Sequence, residues 1–235
     1  MGIEIRAAES DREVDAAYEL AARVFGPDYF TARDMKTRIR LLEPVRRFSD
    51  VIVAASGGEV VGFVRIVDRA VRLGGKTLTV GGITSVCLRP DFRGQGYGRA
   101  IMEEALEASK GRGDALSIAF ARRAVDGFYP RLGYLGLGCH PELVAAIAPG
   151  AFPLAREVRI EPGLEAGRLD LYAAAYVDSY DRLALSFDRD GDWWTKVELR
   201  LASRIAQNGF VTVLVGARPA GYFVSHGGQI GRAHV

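Results

Sequence analysis

The sequence predicts an α/β protein of the α+β kind, with a mixed central sheet flanked by helices and a partial second unit of the same plan after it. Three observations predict this. Runs with apolar residues at alternate positions take turns with runs whose apolar residues recur every third or fourth position, the periods of strand and helix. The stretch Leu78–Gly98, LTVGGITSVCLRPDFRGQGYG, joins a β-rich run to an arginine-started glycine turn that opens onto helix-forming GRAIMEEALEASKG. The pattern Val51-Ile-Val…Gly57…Val61-Gly62-Phe63-Val64 returns, one residue shorter, as Val211-Thr-Val…Gly216…Ala220-Gly221-Tyr222-Phe223.

Ile3–Arg6 alternates and reads as a short strand. Asp11–Phe25 places Val14, Ala17, Leu20, Ala21 and Val24 on one helical face and is closed by Gly26-Pro27. Thr31–Leu42 reads as a second helix stopped by Pro44. Val51–Ala55 and Val60–Asp68 form a hairpin about Ser56-Gly57-Gly58, and another hairpin turns at Gly74-Gly75-Lys76 into the strand Leu78–Leu88. A helix over Tyr97–Lys110, a strand over Ala115–Phe120, a short helix around Val125–Leu132 and a last strand near Tyr134 complete a first domain over 1–140. Pro141–Gly163, with four prolines and two glycines, reads as a connector. Beyond it the opening order repeats over 164–229: helices at Leu169–Tyr180 and Trp193–Ile205, strands at Phe210–Val215 and Ala220–Val224. The final six residues, Ile230–Val235, are what one reading frame of a common sequencing adapter encodes. They are expected to be a non-native tail on a truncated chain.

The totals narrow the partners. Lys plus Arg number 31 against 29 Asp plus Glu, a net +2, and no basic block stands out, so nucleic acid is not expected. No apolar run approaches the roughly 18 residues that span a bilayer, so no membrane partner is expected. Two cysteines, Cys87 and Cys139, make no disulfide framework and suit a reducing, cytoplasmic location. The three histidines, His140, His226 and His234, are scattered, and no metal-ligand spacing exists. Ala70–Thr77 fits a loose phosphate-loop pattern, but β-rich residues follow where a helix is needed, so a hairpin turn is the better reading.

The turn Arg93-Gly94-Gln95-Gly96-Tyr97-Gly98 carries the functional reading. A helix N-terminus presents unpaired N–H groups and roughly half a positive charge, a site for a phosphate pair, and glycines let the backbone approach it closely. The N–H groups of Gly94, Gln95, Gly96, Tyr97, Gly98 and Arg99 are therefore candidate diphosphate ligands. Arg93 and Arg99 can add charge-assisted bonds.

With a strand before it, a helix after it and Gly127-Phe-Tyr-Pro-Arg-Leu-Gly-Tyr134 downstream, this hexamer resembles the acetyl-CoA motif of the GCN5-related N-acetyltransferase (GNAT) superfamily, R/Q-x-x-G-x-G/A. The resemblance covers about residues 1–138. It implies acetyl-CoA as the acetyl donor, a pantetheine arm held by the backbone of Val86, Cys87 and Leu88, and an N–H there that polarises the acetyl carbonyl. It also implies Tyr129 as the acid that protonates the departing thiolate. Many members place a glutamate base on the central strand, yet Leu78–Leu88 contains no carboxylate. Asp68, Glu43 and Asp91 are near in sequence and read as surface charges, so no base is assigned. Cys87 as an acyl nucleophile has no histidine near it in sequence and reads better as a small buried thiol.

Gly82-Ile-Thr84-Ser-Val86-Cys-Leu88-Arg-Pro90-Asp-Phe-Arg93-Gly94 further resembles the two-GNAT-domain, enhanced-intracellular-survival type, several members of which acetylate aminoglycosides. It departs from that type at Leu88 and in the placing of the second arginine. That resemblance implies a second domain without a CoA site, a third domain, homo-oligomeric assembly in the full-length form and a chain-terminal carboxylate at the active site. The expected activity is acetyl transfer to a primary amine of a small molecule, an aminoglycoside among the options. The alternatives are a non-catalytic CoA-binding scaffold and a peptide or protein amine acetyltransferase.

Overall fold

In the computed structural model the chain forms two units, Met1–Leu137 and Gly138–Val235. The described residues are 2–26, 45, 47–121, 127–136, 157–162, 169–180, 183, 185–189, 193–194, 209–226 and 229–234.

In the first unit the elements run β1 (Glu4–Ala7), α1 (Asp11–Phe25), β2 (Val51–Ser56), β3 (Glu59–Leu73), β4 (Lys76–Leu88), α2 (Tyr97–Gly111) and β5 (Leu116–Ala119). Their strands order β1-β2-β3-β4-β5, antiparallel up to β4, with β5 parallel to β4. The glycine turns that the sequence shows account for the two antiparallel hairpins. The parallel pair needs a crossover, and α2 supplies it. The sheet is mixed, as expected, and helices cover both of its faces.

Successive strand residues point to opposite faces. Val51, Val53, Phe63 and Cys87 pack with Val14, Ala17, Tyr18, Leu20 and Ala21 of α1. Ile52, Ala54, Val64, Ile66 and Ile83 pack with Ile101, Met102 and Ala105 of α2. That double burial is why Val51–Ala55 is an unbroken apolar run.

Both helices are pinned at their ends. The Ser10 hydroxyl accepts the Glu13 N–H at 3.3 Å and caps α1. The Arg6 guanidinium donates to both Glu13 oxygens at 2.7 and 3.0 Å and holds that carboxyl below its ordinary range. Past the end of α2, Arg112 donates to Asp50 at 2.8 Å and Asp68 at 3.2 Å and pairs with Asp114. The Ser109 hydroxyl also donates to Asp114, at 2.5 Å. This mostly buried network ties the C-terminal end of α2 to the sheet.

Some expectations lie beyond the described residues: all of the helix over 31–42, and residues 195–205 of the one expected from Trp193. Of the helix expected around Val125–Leu132, residues 125–126 lie outside; a 3-10 turn forms over Tyr129–Leu132. Of the strand expected near Tyr134, residues 134–136 are irregular and the residues from 137 on lie outside the described ones. Gly133, at φ 87°, reverses the chain, and the Tyr134 N–H donates back to the Tyr129 carbonyl at 3.2 Å, so Tyr134 ends the turn.

In the second unit the elements run β6 (Val158–Pro162), α3 (Leu169–Tyr180), β7 (Leu185–Phe187), β8 (Gly209–Val215), β9 (Arg218–His226) and β10 (Gln229–His234). Four of the strands form an antiparallel sheet in the order β10-β9-β8-β6. The β6 strand lies inside the stretch read as a connector. Its alternating Val158-Arg-Ile160 pairs with β8 from Val158↔Val215 to Pro162↔Val211, and Pro162 is tolerated because it ends the strand. Ile230–His234, read as a tail, pairs with β9 as most of β10. The Tyr172 and Tyr176 side chains of α3 are buried, with Tyr172 hydrogen-bonded to the Thr212 hydroxyl at 2.8 Å. No helix among the described residues is long and apolar enough to cross a membrane.

Candidate functional site

The site begins where β4 and β5 part. Pairing between them runs from Val80↔Leu116 to Ile83↔Ala119, while β4 continues to Leu88. Along Thr84–Leu88 no described strand lies on the β5 side. The cause sits within β4. Phe63 faces Cys87 and Arg65 faces Thr84, so Ser85 and Val86 together stand opposite Val64. This is a bulge, which bends a strand and increases its twist, and Ser85 occupies its left-handed position at φ 57°. The stretch with Val86, Cys87 and Leu88 thereby becomes an open backbone edge. The Cys87 side chain turns into the α1 face of the core, where burial pushes its thiol up to about 12. It is a protonated, enclosed thiol, and only its backbone reaches the edge.

Beyond the edge, Pro90–Phe92 makes a single turn and the glycine run leads into α2. Gly94 and Gly96 have φ of 75° and 87°, a region that side-chain-bearing residues rarely adopt. A Cβ on either would meet no atom within 4 Å, so the space in front of them is open. Gly96 is the N-cap, without a side chain to fill the orphan donors, and the first turn has no acidic residue. The first hydrogen bond of the helix is Ala100 N–H to Gly96 carbonyl at 3.1 Å. The N–H groups of Tyr97, Gly98 and Arg99 stand ahead of it, without a partner among the described residues. Such donors suit an anion.

The side chains of the turn are organised unequally. Arg93 donates through Nε to the Leu88 carbonyl at 3.1 Å, which fixes its guanidinium at the strand end. Gln95 donates to the Asp91 carbonyl at 3.1 Å and braces the loop. Arg99 is exposed and pairs with Glu103 one turn on, at 2.7 Å, so it is drawn along its own helix. A surface pair of this kind is worth about 0.3–0.5 kcal/mol, too little to keep it from a phosphate.

Tyr129 reaches this place through its neighbour. A Cβ on Gly98 would lie 3.8 Å from the Phe128 ring, so Phe128 abuts the first turn of α2. The Tyr129 ring stands edge-on to Phe128, with centroids 5.3 Å apart. Val86, Leu88, Phe92, Phe128, Tyr129 and Tyr134 all pack against one apolar cluster, which brings the open edge, the glycine turn and the tyrosine together. The Tyr129 hydroxyl makes no hydrogen bond among the described residues. Burial, then the neighbouring Tyr134, raises its pKa above the ordinary phenol value, so it keeps its proton at neutral pH. Tyr134 differs: its hydroxyl is 2.6 Å from the Ser117 hydroxyl on β5.

The carboxylates weighed as bases do not gather here. Asp68 pairs with Arg47 and Arg112, and Asp91 with Arg89, whose guanidinium lowers its pKa. Glu43 lies outside the described residues. No group of three or more His, Cys, Asp and Glu able to hold a metal forms among the described residues. Sequence reasoning missed Ser85 and Phe128. A serine at the bulge gives no signal where a glycine would, and Phe128 was visible only as part of a motif.

The domain family described as acetyltransferase (GNAT) domain matches residues 4–136. No curated protein sequence matches the chain. Solved structures similar to it include Eis1 from Mycobacterium abscessus, at 21% identity and TM-score 0.59 over 95% of this chain and 52% of that one. A conserved protein of unknown function from Enterococcus faecalis V583 aligns at 20% identity and TM-score 0.69, over 95% of this chain and 55% of its own. A GCN5-related N-acetyltransferase from Kribbella flavida aligns at 18% and 0.63, over 100% and 58%. The chain thus spans a little over half the length of these proteins, and at such identities the likeness speaks for the fold.

Proposed function

The chain belongs to the GNAT acetyltransferase family, and from that premise we propose that it transfers an acetyl group from acetyl-CoA directly to a primary amine of a small molecule. One observation carries the reading. An uncapped, amide-lined helix start lies beside an opened strand edge and an uncommitted tyrosine hydroxyl. The donor fits these residues: open space stands before Gly94 and Gly96, and no carboxylate in the first turn repels a diphosphate.

In this account the N–H groups from Gly94 to Arg99 bind the diphosphate, and Arg93 adds charge. The backbone of Val86–Leu88 holds the arm as an added strand would, and one N–H there polarises the acetyl carbonyl. An oxyanion donor of that kind is worth about 3 kcal/mol of barrier. As the neutral amine attacks and the C–S bond breaks, Tyr129 gives its proton to the sulfur. The attacking nitrogen gives up its proton to water, since β4 offers no carboxylate, and the Tyr129 phenolate recovers a proton from water to close the cycle.

An aminoglycoside is the first acceptor to try, on the strength of the Gly82–Gly94 motif; a peptide amine belongs in the same panel. The missing carboxylate on β4 favours a second reading, a CoA-binding scaffold without turnover. Thiol release from acetyl-CoA across an amine panel separates them. Turnover that falls with Tyr129→Phe supports the transferase, and CoA binding with no turnover for any amine supports the scaffold.

The β6-β8-β9-β10 path repeats the antiparallel order of β1-β2-β3-β4, which supports reading residues 164–229 as part of a second GNAT-like domain that begins a few residues earlier, at β6. A cytoplasmic location, and a homo-oligomer in a longer form of the protein, complete the proposal.

A further inference from the structure

Tyr129 has no hydrogen bond at its tip among the described residues, so only its neighbours set the direction in which its hydroxyl points. Two rings do so. Phe128 and Tyr134 each stand at 82° to it, with centroids 5.3 and 5.5 Å away. Edge-to-face packing is the preferred arrangement of such pairs. Phe128 rests on the first turn of α2. Tyr134 is held more firmly. Its backbone N–H returns to the Tyr129 carbonyl at 3.2 Å, and its hydroxyl lies 2.6 Å from Ser117 Oγ.

The hydroxyls form a chain. Ser117 Oγ lies 2.6 Å from the Tyr134 hydroxyl and within 3.3 Å of the Gly81 carbonyl, so it links the ring to β4. Gly81 is a closely packed end point. It pairs with Ser117 across β4 and β5, and a Cβ there would collide with the Ser109 hydroxyl and come within 3.0 Å of Asp114. The tether thus runs from the paired, rigid part of the sheet, before it opens, to the ring beside the acid.

We propose that Tyr134 is a positioning residue: anchored through Ser117 on β5, its ring holds the Tyr129 phenol in the orientation from which it donates. This rests on Tyr129 being the acid. It assigns Tyr134 a role in turnover without contact to either substrate, and it gives Ser117 a role that nothing in its sequence surroundings announces.

Four variants test it: Tyr129→Phe, Tyr134→Phe, Ser117→Ala and Ser117→Thr, assayed by thiol release with the best amine of the panel. A displacement of about 1 Å can cost on the order of 100-fold in rate, and untethering one of two rings that stay in place is a smaller disturbance. Tyr134→Phe and Ser117→Ala each lower kcat roughly tenfold, with KM for acetyl-CoA unchanged, and Ser117→Thr restores it because the hydroxyl is kept. Adding Tyr134→Phe to Tyr129→Phe costs nothing more, since the first acts only through the second. A merely structural bond would instead lower kcat further in that background, or raise KM, and either result overturns the proposal. So does wild-type kcat in both Tyr134→Phe and Ser117→Ala while Tyr129→Phe is impaired, and that outcome leaves the transferase reading standing. Indifference of turnover to Tyr129→Phe overturns this proposal together with the assignment of Tyr129 as the acid, and no turnover with any amine overturns the transferase reading itself.

Discussion

Tyr129 and Tyr134 are alike in sequence terms, two tyrosines of one short motif, and only their hydroxyls separate them. Removing the Tyr129 hydroxyl is expected to lower kcat roughly 100-fold with little change in KM, the usual loss for a positioned acid. Its proton is lost only above the ordinary phenol value of 10.0, because burial disfavours the phenolate. The sign follows: below pH 10 the acid is intact, and above it the unfolded chain ionises first, so the folded state loses stability as pH rises. A kcat profile from pH 6 to 10 should therefore show no alkaline decline; a fall centred near pH 8 would remove Tyr129 from the role. The glycines give a second contrast. Gly96→Val places a β-branched residue at φ 87°, costs about 1–2 kcal/mol and lowers CoA affinity. Gly98→Ala meets Phe128 at ordinary contact distance, gains about 1 kcal/mol of helix propensity and leaves affinity unchanged. Titration calorimetry with CoA on both variants checks this; equal losses would point to a general backbone effect. The glycine turn and Tyr129 were legible as residues, because motif and flanking periods name them. The pairing that tells the two tyrosines apart was not, since Ser117 and Tyr134 meet only after the chain reverses at Gly133.

At the scale of elements, the helix start is only as well placed as the helix. Packing of Ile101, Met102 and Ala105 onto the sheet holds its middle, and the Arg112 network holds its far end. Arg112→Met leaves Asp50 and Asp114, both below 9% side-chain exposure, without that cation. Breaking a buried pair from one side costs about 3–5 kcal/mol, and urea unfolding should read a loss of that order. An unchanged midpoint would show that the network stabilises nothing. The strands, hairpins and both long helices of the first unit were legible because double burial and helical spacing leave plain periods. The opening of the sheet was not. It depends on a bulge at Ser85, a residue type that neither demands nor advertises a left-handed backbone. The β6 strand was hidden for the opposite reason: Pro162 and nearby glycines signal a loop, and the ladder to β8 overrides them.

For the whole molecule, one body of backbone donors is proposed to hold the donor substrate. Bound CoA stabilises only the folded chain, so at 100 times its dissociation constant it should add about 2.7 kcal/mol and raise Tm. The first unit was readable as a family fold from its order of elements. The second was readable only as an echo of β2 and β3, because a short repeat fixes a hairpin and says little about the strands that flank it. The most direct test of the central claim is calorimetric titration of the chain with CoA and, separately, with pantetheine, which has the same arm and no diphosphate. Two charge-assisted bonds at about 1.5 kcal/mol each predict roughly 100-fold tighter binding of CoA, and equal affinity for the two would contradict the account.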